Sequence, residues 1–403
     1  MADQATLGLA PALVDDLNWY PLFRDRVRGT TWALGSLSRD SYLSVPDQSR
    51  AVVEDALRLM DGTRTIEAVN AELARRWDAV DVATLTHTMA SANLLADDAP
   101  HRRPRSEYET LALRLASWRV SRDNLLLRLL AAAWWPLVLA ALTLIAWVVV
   151  SGALVGRVTT RTYFQFAGDD WSHWAALVLV SVASVGLHEL AHAVAARRCG
   201  LYASRVTVSL YLYLSPIVYV SIPGLYSIPR ARRVLVWAAG PFLNLVLASA
   251  CVAAAPHVGG WGQTLLEAGV FVNLLLIAVN LFPFLPLDGY FIAATLLKVT
   301  NLRRQALSLR ALHRSDRLAL GARLLLWGYA LITWATMAYL VGREAWGMVH
   351  TAWVTYAASA DLLATLDAVK TYLMVLAVIA AAVFARRSLA APHRKEAHGN
   401  PAR

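Results

Sequence analysis

Charged residues and cysteines are scarce in this chain of 403 residues. Asp, Glu, Lys and Arg make up 16% of the sequence and hydrophobic residues 57%, whereas soluble domains contain about 25% charged residues. This composition excludes an ordinary soluble globular protein. The two cysteines, Cys199 and Cys251, are too few for a disulfide framework. Acidic residues occupy the opening segment where a signal peptide would carry basic ones, so we expect no secretory signal.

Long apolar runs dominate the chain after residue 128. Each approaches or exceeds the roughly 20 residues that a helix needs to cross a membrane. The six runs are 129–150, 173–196, 233–255, 264–282, 320–341 and 362–385. The sequence therefore predicts a mainly α-helical, polytopic membrane protein with about six transmembrane helices within residues 129–385.

The basic residues between these runs predict the orientation in the membrane. Lys and Arg number 24 in one alternating set of segments and 3 in the other. The basic set is 102–128, 197–233, 298–319 and 386–403, and the other set is 151–172, 256–263 and 342–361. Positive charge favours the cytosolic side, so we expect a multi-pass protein of the cell membrane with both termini in the cytoplasm. Residues 101–128 are then a cytosolic linker, and 386–403 are a basic cytosolic tail.

Residues 1–100 differ from the rest because they carry 9 Arg against 15 Asp and Glu, a net charge of −6. A β-rich segment at 25–46 with glycine turns precedes three amphipathic helices, the first near 47–60. Thr65 and Asp81 are predicted to cap the second and third helices. Three strands followed by three helices indicate a small α+β, winged-helix-like N-terminal domain.

The string LMDGTRTIEAVNAEL in this region resembles the PqqD-like domains that recognise leader peptides in ribosomal peptide biosynthesis. The resemblance covers roughly residues 20–96 and implies that the domain binds the leader of a precursor peptide. A winged-helix shape would also suit DNA, but a net charge of −6 opposes phosphate binding, so we expect no nucleic-acid partner. A purely structural cap is the alternative.

Residues 206–214 interrupt the helical pattern. Val206, Val208 and Leu210 alternate with polar residues, and this period of two continues to Leu214, before Pro216. The alternation predicts a strand in a hairpin or re-entrant element at the cytosolic end of two spans. Its backbone N–H and C=O groups must form hydrogen bonds to protein or water, because lipid tails offer no hydrogen-bond partners. An ordinary interfacial loop is the alternative interpretation.

The second apolar run ends in His188-Glu189-x-x-His192. On a helix this spacing places both imidazoles on one face, where they can bind one zinc ion with Glu189 beside it. Ionisable residues are costly within an apolar run, which favours a functional role over a polar helix end. Zinc in a hydrolytic site usually has three protein ligands. Asp288 is the candidate third ligand, because Pro283 and Pro286 break the fourth run just before it, at the same predicted depth.

Three motifs together resemble the site-2 protease family of intramembrane zinc metalloproteases. They span roughly residues 170–300 and consist of HELAH, then Gly240-Pro241-x-x-Asn244, then Asn280-x-x-Pro283-x-x-Pro286-Leu287-Asp288-Gly289. The resemblance implies that His188, His192 and Asp288 bind zinc. It further implies that Glu189 is the general base and that Asn280 is a polar partner for the scissile peptide or its oxyanion. Asn244 is expected to serve in packing between helices, and segment 206–214 to hold the substrate extended.

The predicted function is that of an intramembrane zinc endopeptidase which removes the leader from a precursor peptide during modified-peptide maturation. Tyr290 after Asp288-Gly289, together with the PqqD-like region, resembles the peptide-maturation branch, including the daptide type. The expected partners are the precursor peptide and the lipid bilayer. Two alternatives remain. One is a protease that releases a membrane-anchored regulator, and the other is a non-catalytic receptor or exporter subunit.

Overall fold

A computed structural model describes most of the chain. The described residues are 10–25, 29–78, 80–96, 112–153, 171–211, 215–282, 287–299 and 320–370, with Leu302 and Leu373 singly. The predicted basic tail 386–403, the helix breakers Pro283 and Pro286 and most of the sixth apolar run lie outside them. The chain divides into two compact units, residues 1–211 with 216–303 and residues 212–215 with 304–403.

The N-terminal part of the first unit, residues 10–96, forms the head. Its antiparallel sheet has the order β1-β2-β3, and three helices follow it in sequence. The strands are β1 (Leu17–Asp25), β2 (Gly29–Ser36) and β3 (Ser41–Pro46), and the helices are α1 (Asp47–Leu59), α2 (Ile66–Leu73) and α3 (Val82–Ser91). This succession agrees with the prediction, except that β1 begins before the expected β-rich segment. The sequence of β1 contains Pro21 and Asp25, which hid it from a propensity argument.

The head has a hydrophobic core in which the apolar faces of its helices meet the sheet. On α2 the side chains of Ile66, Val69 and Leu73 are buried, as their helical spacing predicts. Both predicted caps are present, because Thr65 accepts a hydrogen bond from the Ala68 amide and Asp81 accepts one from the Thr84 amide. Leu34 of β2 packs in a cluster with residues from α1 and α3. The sequence of the head thus specifies its local structure.

Among the described residues, six α-helices of the first unit follow the head. They are α4 (Leu125–Ala132), α5 (Trp134–Val150), α6 (Trp171–Arg198), α7 (Arg230–Ala254), α8 (Trp261–Asn280) and α9 (Asp288–Leu297). In the described part of the chain, three helical segments are long and apolar enough to cross a membrane: Trp171–Arg198, Arg230–His257 and Trp261–Asn280. The pair α4 and α5, bent by 65°, makes a fourth if it is one span. Pro136 accounts for the break, since its ring removes the hydrogen bond to the Ala132 carbonyl.

The second unit contains α10 (Leu320–Ser359), a helix of 40 residues. It includes the fifth predicted span, 320–341, but it also runs through 342–359, where the sequence predicts an external loop. That prediction is wrong because hydropathy alone suggested the boundary. The charged residues Arg343 and Glu344 are good helix formers and do not end a helix. The helix is not among the candidate membrane spans, so the total of six spans stays a prediction.

A second sheet has three strands in the order β4-β5-β6. Its strands are β4 (Ala112–Arg119), β5 (Arg205–Tyr211) and β6 (Ser215–Ser221). The strand predicted over 206–214 is confirmed for residues 206–211, which lie in β5, and residues 212–214 of that prediction lie outside the described residues. Pro216 lies within β6, an edge strand, where proline is tolerated. β4 falls in the segment expected to be a linker and pairs antiparallel with β5.

The helix α7 is central to the first unit, because it packs against α5, α6, α8 and α9. α6 and α8 also pack against each other. The three helices of membrane-crossing length therefore form one bundle around α7. Pro241 lies inside α7, where its missing amide leaves the helix without one backbone hydrogen bond. This bundle and the first turn of α9 supply the side chains of the candidate metal centre.

Candidate metal centre

Two histidines and one aspartate converge inside the bundle. The Nε2 atoms of His188 and His192, one turn apart on α6, are 3.1 Å from each other. The Oδ2 atom of Asp288 lies 3.1 Å from Nε2 of His188 and 3.3 Å from Nε2 of His192. All three side chains are buried. The structure thus brings together the three residues that sequence reasoning selected as metal ligands.

Asp288 reaches the histidines because α9 starts at this residue, close to the end of α8. The preceding Leu287 is extended, and the helix begins with the aspartate. Gly289 allows the close approach, since a Cβ atom at this position would lie 2.3 Å from the Leu281 carbonyl oxygen. The Asp-Gly pair of the sequence motif therefore has a steric explanation.

A hydrogen bond from Nδ1 of each imidazole orients the ring, so that Nε2 faces the cluster. Nδ1 of His192 donates to the Val236 carbonyl oxygen at 2.7 Å, and a carbonyl can only accept. Nδ1 of His188 donates to Oδ1 of Asn244. That amide is oriented in turn, because its Nδ2 donates to Oδ1 of Asn273 at 2.8 Å. In the neutral rings both Nε2 atoms are therefore lone-pair acceptors that point at the aspartate.

Three acceptor atoms that lie 3.1–3.3 Å apart with no donor between them suit a cation. The edge of a tetrahedron with bonds of about 2.0–2.1 Å to zinc is about 3.3–3.4 Å, close to these separations. Two imidazole nitrogens and one carboxylate oxygen are also ligands that zinc accepts. The donor set and its spacing fit a zinc ion.

Gly240 of α7 forms the floor of this cluster. A Cβ atom at that position would lie 2.4 Å from Nε2 of His188 and 2.5 Å from Nε2 of His192. Such distances exceed zinc–nitrogen bond lengths only slightly and are far below van der Waals contact. The absence of a side chain at Gly240 thus keeps open the space that both imidazoles face.

A relay of uncharged polar side chains supports His188. It runs from Asn244 on α7 to Asn273 on α8, whose Nδ2 donates to Oγ of Ser184 on α6 at 3.0 Å. Sequence reasoning gave Asn244 a packing role and missed Asn273 and Ser184. In the structure Asn244 is buried between α6, α7 and α8, as a packing role requires, and it also accepts a hydrogen bond from His188 of the cluster. The available signal was the presence of buried polar residues inside apolar runs, where each needs a partner.

Glu189 lies beside the cluster and has a separate partner. The ligand atoms of His188, Glu189 and His192 all lie within 4.8 Å of one another. Oε2 of Glu189 accepts a hydrogen bond from the backbone amide of Val220 in β6 at 2.8 Å. The second sheet therefore contacts the residue that sequence reasoning selected as the general base. Nothing in the sequence pattern pointed to Val220.

Asn280 is the predicted site residue that the structure does not join to the others. Its side-chain amide donates to the Leu276 carbonyl, one turn earlier on α8, at 2.9 Å. Among the residues with described positions, no hydrogen bond links it to His188, His192 or Asp288. A role in binding the scissile peptide stays a prediction.

Known proteins resemble part of this chain. Residues 175–262, which include both histidines and Asn244 but not Asp288, match the family described as Peptidase family M50. A protein of Bacillus subtilis (strain 168) named "Putative peptide zinc metalloprotease protein YydH" is 26% identical over 134 residues. That alignment covers 33% of this chain and 52% of the relative, so the chain spans about half of the relative's length. No solved structure matches the chain. The segment that carries the two histidines is similar to M50 peptidases, and together these similarities support a metalloprotease.

Proposed function

We propose that this protein is an integral-membrane zinc endopeptidase whose metal is held by His188, His192 and Asp288. The convergence of three buried acceptor atoms on one open space carries the proposal. When bound, zinc polarises a peptide carbonyl and lowers the pKa of a water molecule. Glu189 takes the proton of the attacking water and delivers it to the leaving amine. The bundle around α7 keeps these side chains away from bulk water.

The proposed substrate is a precursor peptide from which the protein removes the leader. The B. subtilis relative is named a peptide zinc metalloprotease, which supports a peptide substrate here. The likeness of residues 20–96 to PqqD-like domains supports leader recognition by the head. β3 lies at one end of the head's sheet, so an extended leader can pair with it next to α1. Val53 and Leu57 pack against the head's core, so main-chain pairing contributes most of the affinity.

The proposed orientation places both termini and the head in the cytoplasm. It rests on the distribution of 24 basic residues against 3 between alternating segments. A leader bound to the head then lies on the same side as the cytosolic end of α6, where His188 and His192 are located. The protein would meet a newly synthesised precursor without any transfer across the bilayer.

Zinc content and peptide cleavage of the purified full chain test the enzyme. Wild-type protein should hold about one zinc per chain and cleave a precursor encoded beside its gene. Glu189→Gln should keep the zinc and lose cleavage, because Glu189 is a base and not a ligand. His188→Ala, His192→Ala and Asp288→Ala should lose the zinc. Cleavage by the Glu189→Gln protein would overturn the assignment, and wild-type protein without zinc would favour the receptor or exporter alternative.

A synthetic leader peptide added in trans tests recognition by the head in the intact protein. It should inhibit cleavage of the full precursor competitively, since both occupy the β3 edge, and should leave cleavage of a leaderless peptide unchanged. A scrambled leader is the control. Equal inhibition of both substrates, or none of either, would contradict leader recognition. Cleavage of a membrane-anchored regulator alone would favour that alternative.

A further inference from the structure

A buried arginine joins the head to the helix bundle. Arg233 lies in the first turns of α7 and is 1% exposed. Its Nη2 donates to the Leu22 carbonyl of β1, and its guanidinium lies 5.3 Å from the ring centre of Phe23 on the same strand. In the part of the chain that the structure describes, Nε and Nη1 of Arg233 find no acceptor. A buried cation is costly without partners, so its main compensation comes from the head.

A lysine makes the same kind of contact from another helix. Lys298 follows the last turn of α9 in a left-handed conformation, with φ at 57°. Its Nζ donates to the Arg24 carbonyl of β1. Leu22 and Arg24 are two residues apart on one strand. A single edge of the head therefore holds α7 through Arg233 and α9 through Lys298.

The two helices held in this way contact the metal cluster from different sides. α7 provides the Val236 carbonyl that orients His192, and also Gly240 and Asn244. α9 provides Asp288 at its first residue. The helices are packed together between these points, because the rings of Trp237 and Phe291 stack with centres 4.6 Å apart.

The lengths involved are short enough for a movement at the head to reach the cluster. At 1.5 Å per residue, Arg233 lies about 10 Å along α7 from Gly240, and Lys298 lies about 15 Å along α9 from Asp288. Helices transmit such shifts as nearly rigid rods. The histidines belong to α6, but α7 holds them through the Val236 carbonyl and Asn244. A change in the separation of α7 and α9 at β1 would therefore move Asp288 relative to the histidines.

We propose that β1 of the head is a brace: through Arg233 and Lys298 it fixes α7 against α9 and so holds Asp288 at the two histidines. Arg233 and Lys298 are positioning residues for the metal cluster and do not touch the metal. The inference rests on the proposed zinc site. It makes the head a structural part of that site, whatever peptide the head binds.

Zinc affinity of the full chain, measured by competition with a chelator, tests the brace. Arg233→Met and Lys298→Met keep the apolar stems and remove the donors. Each should weaken zinc binding by about 2- to 30-fold, the range found for coupling through packed elements, and the double variant should weaken it more. Arg233→Lys keeps a donor and should restore part of the affinity. The visible absorption of Co²⁺ bound in place of zinc should change in the Met variants, since it reports ligand geometry.

Matched controls distinguish the loss of the brace from a general effect of removing a positive charge. Arg122→Met removes a hydrogen bond to Tyr202 that lies outside the head contacts, and Lys370→Met removes an exposed ion pair with Asp367. Neither should change zinc affinity. Lys298 is exposed, so Lys298→Met decides the question even if Arg233→Met does not fold. Wild-type zinc affinity in Lys298→Met overturns the brace, whereas a wild-type protein that binds no zinc overturns the proposed function instead.

Discussion

The carboxylate of Glu189 accepts a hydrogen bond from the Val220 backbone amide, with 2.8 Å between Oε2 and the nitrogen. Glu189 belongs to α6 and Val220 to β6, an edge strand of the second sheet. The amide that a strand normally uses for pairing is here directed at a helix. The proposed general base is thus oriented by a main-chain group that no side-chain substitution can remove, except one to proline.

Val220→Pro should therefore lower kcat while zinc content stays at the wild-type level. The substitution removes the backbone N–H that donates to Glu189, and proline is tolerated in an edge strand. A hydrogen bond to a charged group contributes about 1.5–3 kcal/mol, so we expect a loss of about 10- to 100-fold in kcat. Val220→Ala keeps the amide and is the control. Equal kcat in the two variants would show that Glu189 needs no orientation from β6.

Asn244→Leu should weaken zinc binding by about 10- to 100-fold, the range for loss of a group that orients a metal-binding histidine. The change leaves Nδ1 of His188 without its acceptor, so the ring can turn or change tautomer. Ser249→Ala is the control, because Ser249 is also buried and polar on α7. Chelator competition measures both. Unchanged affinity in Asn244→Leu would return Asn244 to the packing role that sequence reasoning assigned.

Gly240→Ala should abolish zinc binding, with a loss larger than about 100-fold. The new methyl group would lie 2.4–2.5 Å from both Nε2 atoms and fill the space that they face. Gly186→Ala on α6 is the control, because nothing lies within 4 Å of a Cβ atom there. The metal content of both purified proteins gives the answer. Full zinc occupancy in Gly240→Ala would mean that the ion does not lie between the two histidines.

Asp16 makes the stability of the head depend on pH. Partial burial raises the pKa of this carboxyl, but hydrogen bonds from Ser36 and Ser38 outweigh burial and lower the pKa below its ordinary value. A lowered folded-state pKa contributes stability above the unfolded value of about 3.9, and the contribution is lost as the pH falls through the folded value. Asp16→Asn should lower the head's Tm at pH 7, and the difference should shrink as the pH falls below the unfolded value of about 3.9. A constant difference would exclude this ionisation.

The orientation predicts that Thr160 is extracellular and Ser388 cytoplasmic. In a chain with Cys199→Ala and Cys251→Ala, a cysteine placed at Thr160 should react with an impermeant reagent in intact cells. A cysteine at Ser388 should react only after permeabilisation. The reverse pattern would invert the topology and move the head outside.

The sequence predicted the residues of the candidate metal site more completely than it predicted the membrane topology. His188 and His192 followed from helical spacing, and Asp288 from the requirement for a third ligand where proline breaks a run. The loop at 342–361 was predicted wrongly because hydropathy marks where apolar residues stop and does not mark where a helix stops. The partnership of Glu189 with Val220 was not predictable, since it depends on a main-chain atom from a distant strand.

The relay from His188 through Asn244 and Asn273 to Ser184 has a consequence for how the bundle assembles. Between lipid-embedded helices there is no hydrophobic driving force, so packing and interhelical hydrogen bonds must bring them together. This relay links α6, α7 and α8 with neutral groups only. Correct association of the three helices and correct presentation of His188 are thus the same event, and a chain that inserted its helices without associating them would have no metal site to fill.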